Sequence, residues 1–79
     1  MYYLYLVRCA DNSLYAGITT DVARRVREHN GSTVGAKYTK TRRPVTLVYH
    51  QQYPDRSTAS KAEAALKKLP RHQKLALLT

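Results

Sequence analysis

Tryptophan and phenylalanine are missing from this chain, which has one cysteine, one methionine, three glycines and three prolines. A single cysteine excludes an internal disulfide, so Cys9 is expected to be a reduced, strand-borne residue of a cytosolic protein. Acids are scarce too: five Asp and Glu stand against fourteen Lys and Arg, a formal net charge of +9. No apolar run approaches the ~18 residues that a membrane-spanning helix needs. Residues 2–9 are too short and too rich in tyrosine for the apolar core of a secretion signal. The expectation is a cytoplasmic protein without membrane contact. Its 79 residues make one domain, 1–79, with no repeats, no low-complexity tract and no internal linker.

The charge excess attracts polyanions, of which phosphate-rich nucleic acid is the commonest. It says nothing about chemistry, and a solvated basic surface would carry the same sign. Seven tyrosines supply all the aromatic area, each with a hydroxyl that wants a partner when buried. Residues 2–9 read as a strand, with Leu4 and Leu6 on one face and Tyr3, Tyr5 and Val7 on the other. "ADNS" at 10–13 is turn chemistry, and residues 14–18 form an antiparallel partner strand. Gly17 in that strand leaves room for a bend or for close approach by a ligand.

A first helix follows, capped by Thr20 or Asp21 and ended by Asn30-Gly31. Residues 31–44 carry no clear period, several basic residues and no acid, and read as a long basic loop with a short helical piece near Lys37. Residues 45–51 are a third strand, with Val45, Leu47 and Tyr49 alternating against Thr46, Val48 and His50. A turn at 53–57 leads into a second helix from Ser57 to about Leu69, with a capping-box pattern at Ser60 to Glu63. Pro70 breaks it, and "RHQKLALL" forms a short last helix. The order β-β-α-β-α-α predicts an α+β fold: a small three-stranded, mainly antiparallel sheet flanked by helices.

Within that frame a few polar residues draw together. On the first helix Val22 and Val26 set the apolar stripe, and Arg25 and His29, four apart, lie beside it, while Arg24, Arg27 and Glu28 turn outward. Arg25 can bind phosphate bidentately or cover apolar surface with its stem. His29 can serve catalysis or satisfy the helix C-terminus. Glu63 lies at the margin of the second helix's stripe of Ala59, Ala62, Leu66 and Leu69. It either pairs with Lys67 or holds a divalent cation on a phosphate-binding surface. Tyr2, Tyr49 and Tyr53 are packing residues, whereas neighbouring strands can bring Tyr3, Tyr5 and Tyr15 together beside the first helix.

Tyr3-Leu4-Tyr5, then Tyr15-Ala16-Gly17 after a short hairpin, then Arg25 and His29, and finally Glu63 on a later helix form an ordered set. This set resembles the GIY-YIG nuclease domain, with "YLY" standing for the GIY element and "YAG" for YIG. The stretches "YAGITTDVARRVREHN", "GAKYTKTRRPVTLVY" and "RSTASKAEAALKKL" are similar to short stand-alone members of that superfamily. They are also similar to the catalytic subunit of structure-specific endonucleases and to the N-terminal domain of excision nucleases. Each tripeptide alone is unspecific; the ordered set spans nearly the whole chain.

The resemblance implies a nuclease, endo- or exonucleolytic, that hydrolyses DNA phosphodiesters with one divalent metal ion, Mg²⁺ or Mn²⁺, in DNA repair or recombination. It implies Tyr5 as general base or orienter of the attacking water, and Tyr15 and Gly17 beside the scissile phosphate. Arg25 would stabilise the phosphate, His29 would shuttle a proton or touch the phosphate, and Glu63 would hold the metal. A phenol is a poor base at neutral pH unless cations lower its pKa, and such a site would be rich in cations. Tyr3, Lys37, Lys40, Arg42 and Arg43 complete the expected nucleic-acid surface, the last four on phosphates. Three departures stand out. Tyr3 replaces the first glycine; Leu4 and Ala16 replace the central isoleucines. Ile18 stands where some relatives carry lysine, and the asparagine often found after the second helix is absent. The expectation is weak or conditional activity on branched, nicked or single-stranded DNA, with a protein partner supplying specificity. The alternative is a non-catalytic nucleic-acid-binding module using the same basic surface.

Overall fold

Tyrosine, leucine and valine alternate along β1 (Tyr2–Arg8), the central strand of the molecule. The computed structural model describes residues 1–31 and 37–78. β2 (Leu14–Thr19) returns antiparallel to β1, with Tyr5 opposite Gly17 and Val7 opposite Tyr15. The turn between them is an Asx turn: the Ser13 amide and hydroxyl donate to the Asp11 carboxylate at 3.0 and 2.6 Å. Asn12 sits at φ 71°, a left-handed conformation that asparagine tolerates better than most residues.

β3 (Thr46–Tyr53) pairs antiparallel with the other side of β1, giving a three-stranded sheet in the order β2-β1-β3. The α+β expectation holds. One detail of β3 differs from the simple alternation. Leu6 faces Tyr49 but Val7 faces Leu47, so Val48 is the extra residue of a β-bulge. Val48 and Tyr49 therefore both pack with Leu4 and Leu6, while Leu47 stays with Tyr5 and Val7.

Helices cover both faces. α1 (Val22–Gly31) follows β2 directly, and the Asp21 carboxylate accepts the Arg24 amide at 3.0 Å as its cap. Its Val22 and Val26 join Tyr5, Val7, Cys9 and Val45 on one side of the sheet. The one-turn α2 (Lys37–Lys40) occurs within the predicted basic loop, of which residues 32–36 lie outside the described residues. α3 (Arg56–Lys68) packs Leu66, with Ala62 beside it, on the Leu4, Leu6 and Ala16 side. Its cap is Asp55, which accepts the Thr58 amide at 2.8 Å, so the predicted capping box at Ser60 to Glu63 is not used. The helix starts at Arg56, one residue before the expected Ser57, and Glu63 lies mid-helix, free of any terminal duty. α4 (Arg71–Ala76) follows Pro70. Among the described residues no helix is long and apolar enough to cross a membrane.

Candidate active site

The centre of the candidate site is a buried hydroxyl–imidazole–hydroxyl chain. Tyr5, 1% exposed, and His29, 0% exposed, share a hydrogen bond of 2.8 Å between Oη and Nε2. On the far side of the ring, Nδ1 lies 2.8 Å from Oγ1 of Thr39, which is also fully buried. The backbone explains how three separate segments meet here. Tyr5 points off the central strand toward α1, His29 is the last-turn histidine of α1, and α2 closes over the ring from the other side. Gly17 permits the arrangement: a Cβ there would sit 2.5 Å from the Tyr5 hydroxyl and 2.7 Å from Cζ. The space that the glycine leaves is filled by the Tyr5 ring.

Around this chain the other predicted residues take distinct places. The Tyr15 ring meets His29 edge-on at 5.4 Å between centroids. The charge of Arg25 acts on the Tyr5 phenol, and its guanidinium is held by Glu28 at 2.9 Å. Glu28 also lies 3.8 Å from Arg24, so one carboxylate braces both arginines. Glu63 projects from α3, the helix on the opposite face of the sheet, yet its charge still acts on the Tyr5 phenol. Its carboxylate lies 3.7 Å from the Lys67 ammonium. Glu63 thus makes the expected helical ion pair with Lys67 and also stands within electrostatic range of the tyrosine.

Burial sets the titration of the two central groups. It raises the Tyr5 phenol above its ordinary value of 10.0; the Arg25 guanidinium works the other way but is outweighed. The guanidinium lowers the phenol as a cation is expected to, but desolvation penalises the phenolate more than this one guanidinium favours it. Burial also lowers His29 below 6.5, helped by the charge of Arg25. The ring is neutral at physiological pH, with one nitrogen donating and the other accepting. Burial works against the Arg25 charge as well, but the oxygens of Glu28 and Tyr5 more than compensate.

The remaining predicted residues divide between surface and scaffold. Lys37 and Lys40 are exposed on α2. Arg42 donates to Asp11 at 2.9 Å and to the Tyr38 carbonyl at 2.8 Å, and its guanidinium lies over the Tyr38 ring at 4.0 Å. Arg43 donates to the His29 carbonyl at 2.5 Å, tying down the end of α1. Both arginines are engaged by the protein itself. Tyr3 is half-buried on the same face as Tyr5, opposite Thr19 and Gln52; the aromatic contacts around His29 run instead through Tyr15, which stacks on Tyr38 at 5.6 Å.

The GIY-YIG catalytic-domain family matches residues 1–76. The chain belongs to the GIY-YIG family. Among its relatives, a UPF0213 protein of Desulfotalea psychrophila is 53% identical over 77 residues, covering 98% of this chain and 70% of that protein. The solution NMR structure of a UPF0213 protein from Bacillus halodurans superposes with a TM-score of 0.62 at 42% identity, covering 99% of this chain and 83% of that one. A second NMR structure, of a protein from E. faecalis, gives a TM-score of 0.62 at 43% identity, covering 96% and 81% of the two chains. GIY-YIG domains are nucleases, which sets the general kind of chemistry expected of this site. The GIY-YIG set Tyr5, Tyr15, Arg25 and His29 converges in the fold, with Glu63 in electrostatic range. Thr39, Tyr38 and the pairing of Glu28 with Arg25 were not anticipated. The three-residue spacing of Arg25 and Glu28 could have revealed the last of these. Thr39 and Tyr38 sit in a stretch without periodicity, and only the closed fold brings them to the histidine and to Tyr15.

Proposed function

We propose that this chain is a divalent-metal-dependent nuclease that hydrolyses DNA phosphodiesters. The observation that carries the reading is the 2.8 Å contact between the Tyr5 hydroxyl and His29 Nε2, with Arg25 beside the phenol and Glu63 in electrostatic range of it. The partly open side chains, Tyr15, Arg25 and Glu63, meet the substrate. Arg25 binds a non-bridging phosphate oxygen and stabilises the charge that builds there during in-line attack. Glu28 fixes the guanidinium for that task. Tyr5 stands behind: as its oxygen takes a proton from the attacking water, its own proton passes to His29 Nε2. The phenol is regenerated within the step, so it never has to exist as a free phenolate at neutral pH.

The residues present fit a hard divalent cation held lightly. Among the described residues no cluster of three or more His, Cys, Asp or Glu could hold a metal ion. Glu63, the carboxylate whose charge reaches the Tyr5 phenol, would hold it, with water and phosphate oxygens as the remaining ligands, as Mg²⁺ and Mn²⁺ accept. When bound, the ion supplies Lewis-acid stabilisation of the phosphoryl oxygens. The substrate class within DNA, branched, nicked or single-stranded, is settled by assay of the pure protein on each with Mg²⁺ or Mn²⁺. Glu63→Ala should abolish cutting, and Arg25→Ala should slow it by about 10²- to 10³-fold. Equal cleavage by wild type and Glu63→Ala would overturn the proposal.

The near-complete burial of Tyr5, 1% exposed, favours a second reading, in which the cluster is structural and the basic surface binds nucleic acid without cutting it. Salt-dependent DNA binding unchanged by Arg25→Ala and Glu63→Ala, with no cleavage of any substrate, would select that reading.

A further inference from the structure

Both nitrogens of His29 meet hydroxyl groups, and a hydroxyl can give or take a proton. The tautomer is therefore decided by what surrounds the two hydroxyls. The Tyr5 oxygen has the Arg25 guanidinium beside it, a group that only donates. With that positive charge acting on its oxygen, the phenol turns its own proton away from the guanidinium and toward the nearest acceptor, His29 Nε2 at 2.8 Å. A neutral ring then carries its proton on Nδ1, where the contact at 2.8 Å is Thr39 Oγ1. Among the described residues no buried polar side-chain atom lacks a partner.

We propose that Thr39 is a positioning residue: its hydroxyl accepts from Nδ1–H, keeps His29 in that tautomer, and leaves the Nε2 lone pair aimed at the Tyr5 phenol. Its use in catalysis rests on the nuclease reading above. In that reaction the proton leaves Tyr5 Oη for Nε2, and the Nδ1–H already in place stays on the ring, so the imidazolium that forms is stabilised by the Thr39 oxygen. The opposite tautomer would present a second donor to a phenol that already faces Arg25, and the proton would have nowhere to go. α2 thus has a task beyond closing the fold. It carries the residue that orients the proton acceptor without itself touching DNA.

The test is a two-bond ¹⁵N–¹H correlation spectrum of the full chain, labelled in histidine, for the wild type, Thr39→Ser and Thr39→Val. The wild type and Thr39→Ser should show His29 protonated on Nδ1, and Thr39→Val should show a mixed or Nε2-protonated ring. In cleavage assays Thr39→Val should lower kcat by about 10- to 100-fold with KM for DNA unchanged, and Thr39→Ser should restore the rate. A wild-type ring protonated on Nε2, or a tautomer that survives Thr39→Val, would overturn the inference. If the valine variant does not fold, the wild-type and serine spectra still decide it. A protein with the expected tautomers that cuts no DNA would end the nuclease reading and leave the assignment of Thr39; one that cuts DNA with the opposite tautomer would do the reverse.

Discussion

His29 and Tyr5 are moved apart in titration by the same burial, and each leaves a mark on stability. The unfolded imidazole takes its proton near 6.5, whereas the folded one, buried beside Arg25, resists until lower pH. Below 6.5 the unfolded state therefore binds more protons, and stability falls as the pH drops through 6.5 toward the folded value. Thermal melts followed by circular dichroism should show Tm decreasing from pH 7.5 to 5, and His29→Gln should flatten that slope. Parallel slopes in the two proteins would contradict it. Tyr5, raised above 10.0, has the opposite dependence: its contribution is present below pH 10 and is lost as the pH rises through the folded value. Gly17 bears on the same pair. Gly17→Ala would put a methyl group 2.5 Å from the Tyr5 hydroxyl, overpacking the site at a cost of about 1–3 kcal/mol. Urea titration should register that loss, and the Tyr5–His29 contact should break with it.

At the scale of elements, the end of α1 is fastened to the chain entering β3. The Asn30 side chain accepts the Val45 amide at 2.6 Å and donates to the Val45 carbonyl at 3.0 Å, completing both backbone groups of a buried residue. Arg43 adds its bond to the His29 carbonyl. These contacts place the last turn of α1, and with it His29, more firmly than its own short helix could. Asn30→Ala removes two hydrogen bonds at about 0.5–1.5 kcal/mol each, so about 1–3 kcal/mol should be lost from the free energy of unfolding. Asn30 matched the expected helix stop, but its pairing with Val45 gives the residue a second role. The expected Ser60 to Glu63 capping box gave way to Asp55, whose carboxylate accepts the Thr58 amide where the helix actually begins.

For the whole molecule, the excess of +9 is spread unevenly between roles. Arg42 and Arg43 spend their donors on Asp11, Tyr38 and His29, while Lys37 and Lys40 are exposed. If the lysines contact DNA phosphates, the plot of log binding constant against log salt should lose about 0.9 in slope per lysine contact removed from double-stranded DNA. Lys37→Ala with Lys40→Ala should then flatten the plot and leave Tm alone. Arg42→Ala should lower Tm with a smaller change of slope. Fluorescence anisotropy over a salt series, beside thermal melts, separates the two; a slope unmoved by the lysine pair would remove them from the interface.

Alternation in β1, the turn residues at 10–13 and the valine stripe of α1 made the three-stranded α+β architecture legible from composition and period, because each depends on neighbours within a few residues. The order of Tyr5, Tyr15, Arg25, His29 and Glu63 likewise made the family legible. Other features depended on contacts between distant segments. The bulge at Val48 changes which face Tyr49 occupies, the phenol rises instead of falling because desolvation outweighs one guanidinium, and Thr39 reaches His29 only when α2 folds over it. Linear order alone determined which side chains this protein has for its chemistry. Tertiary structure alone decided which of them are buried, what each hydroxyl must donate to, and so in which direction a proton can move.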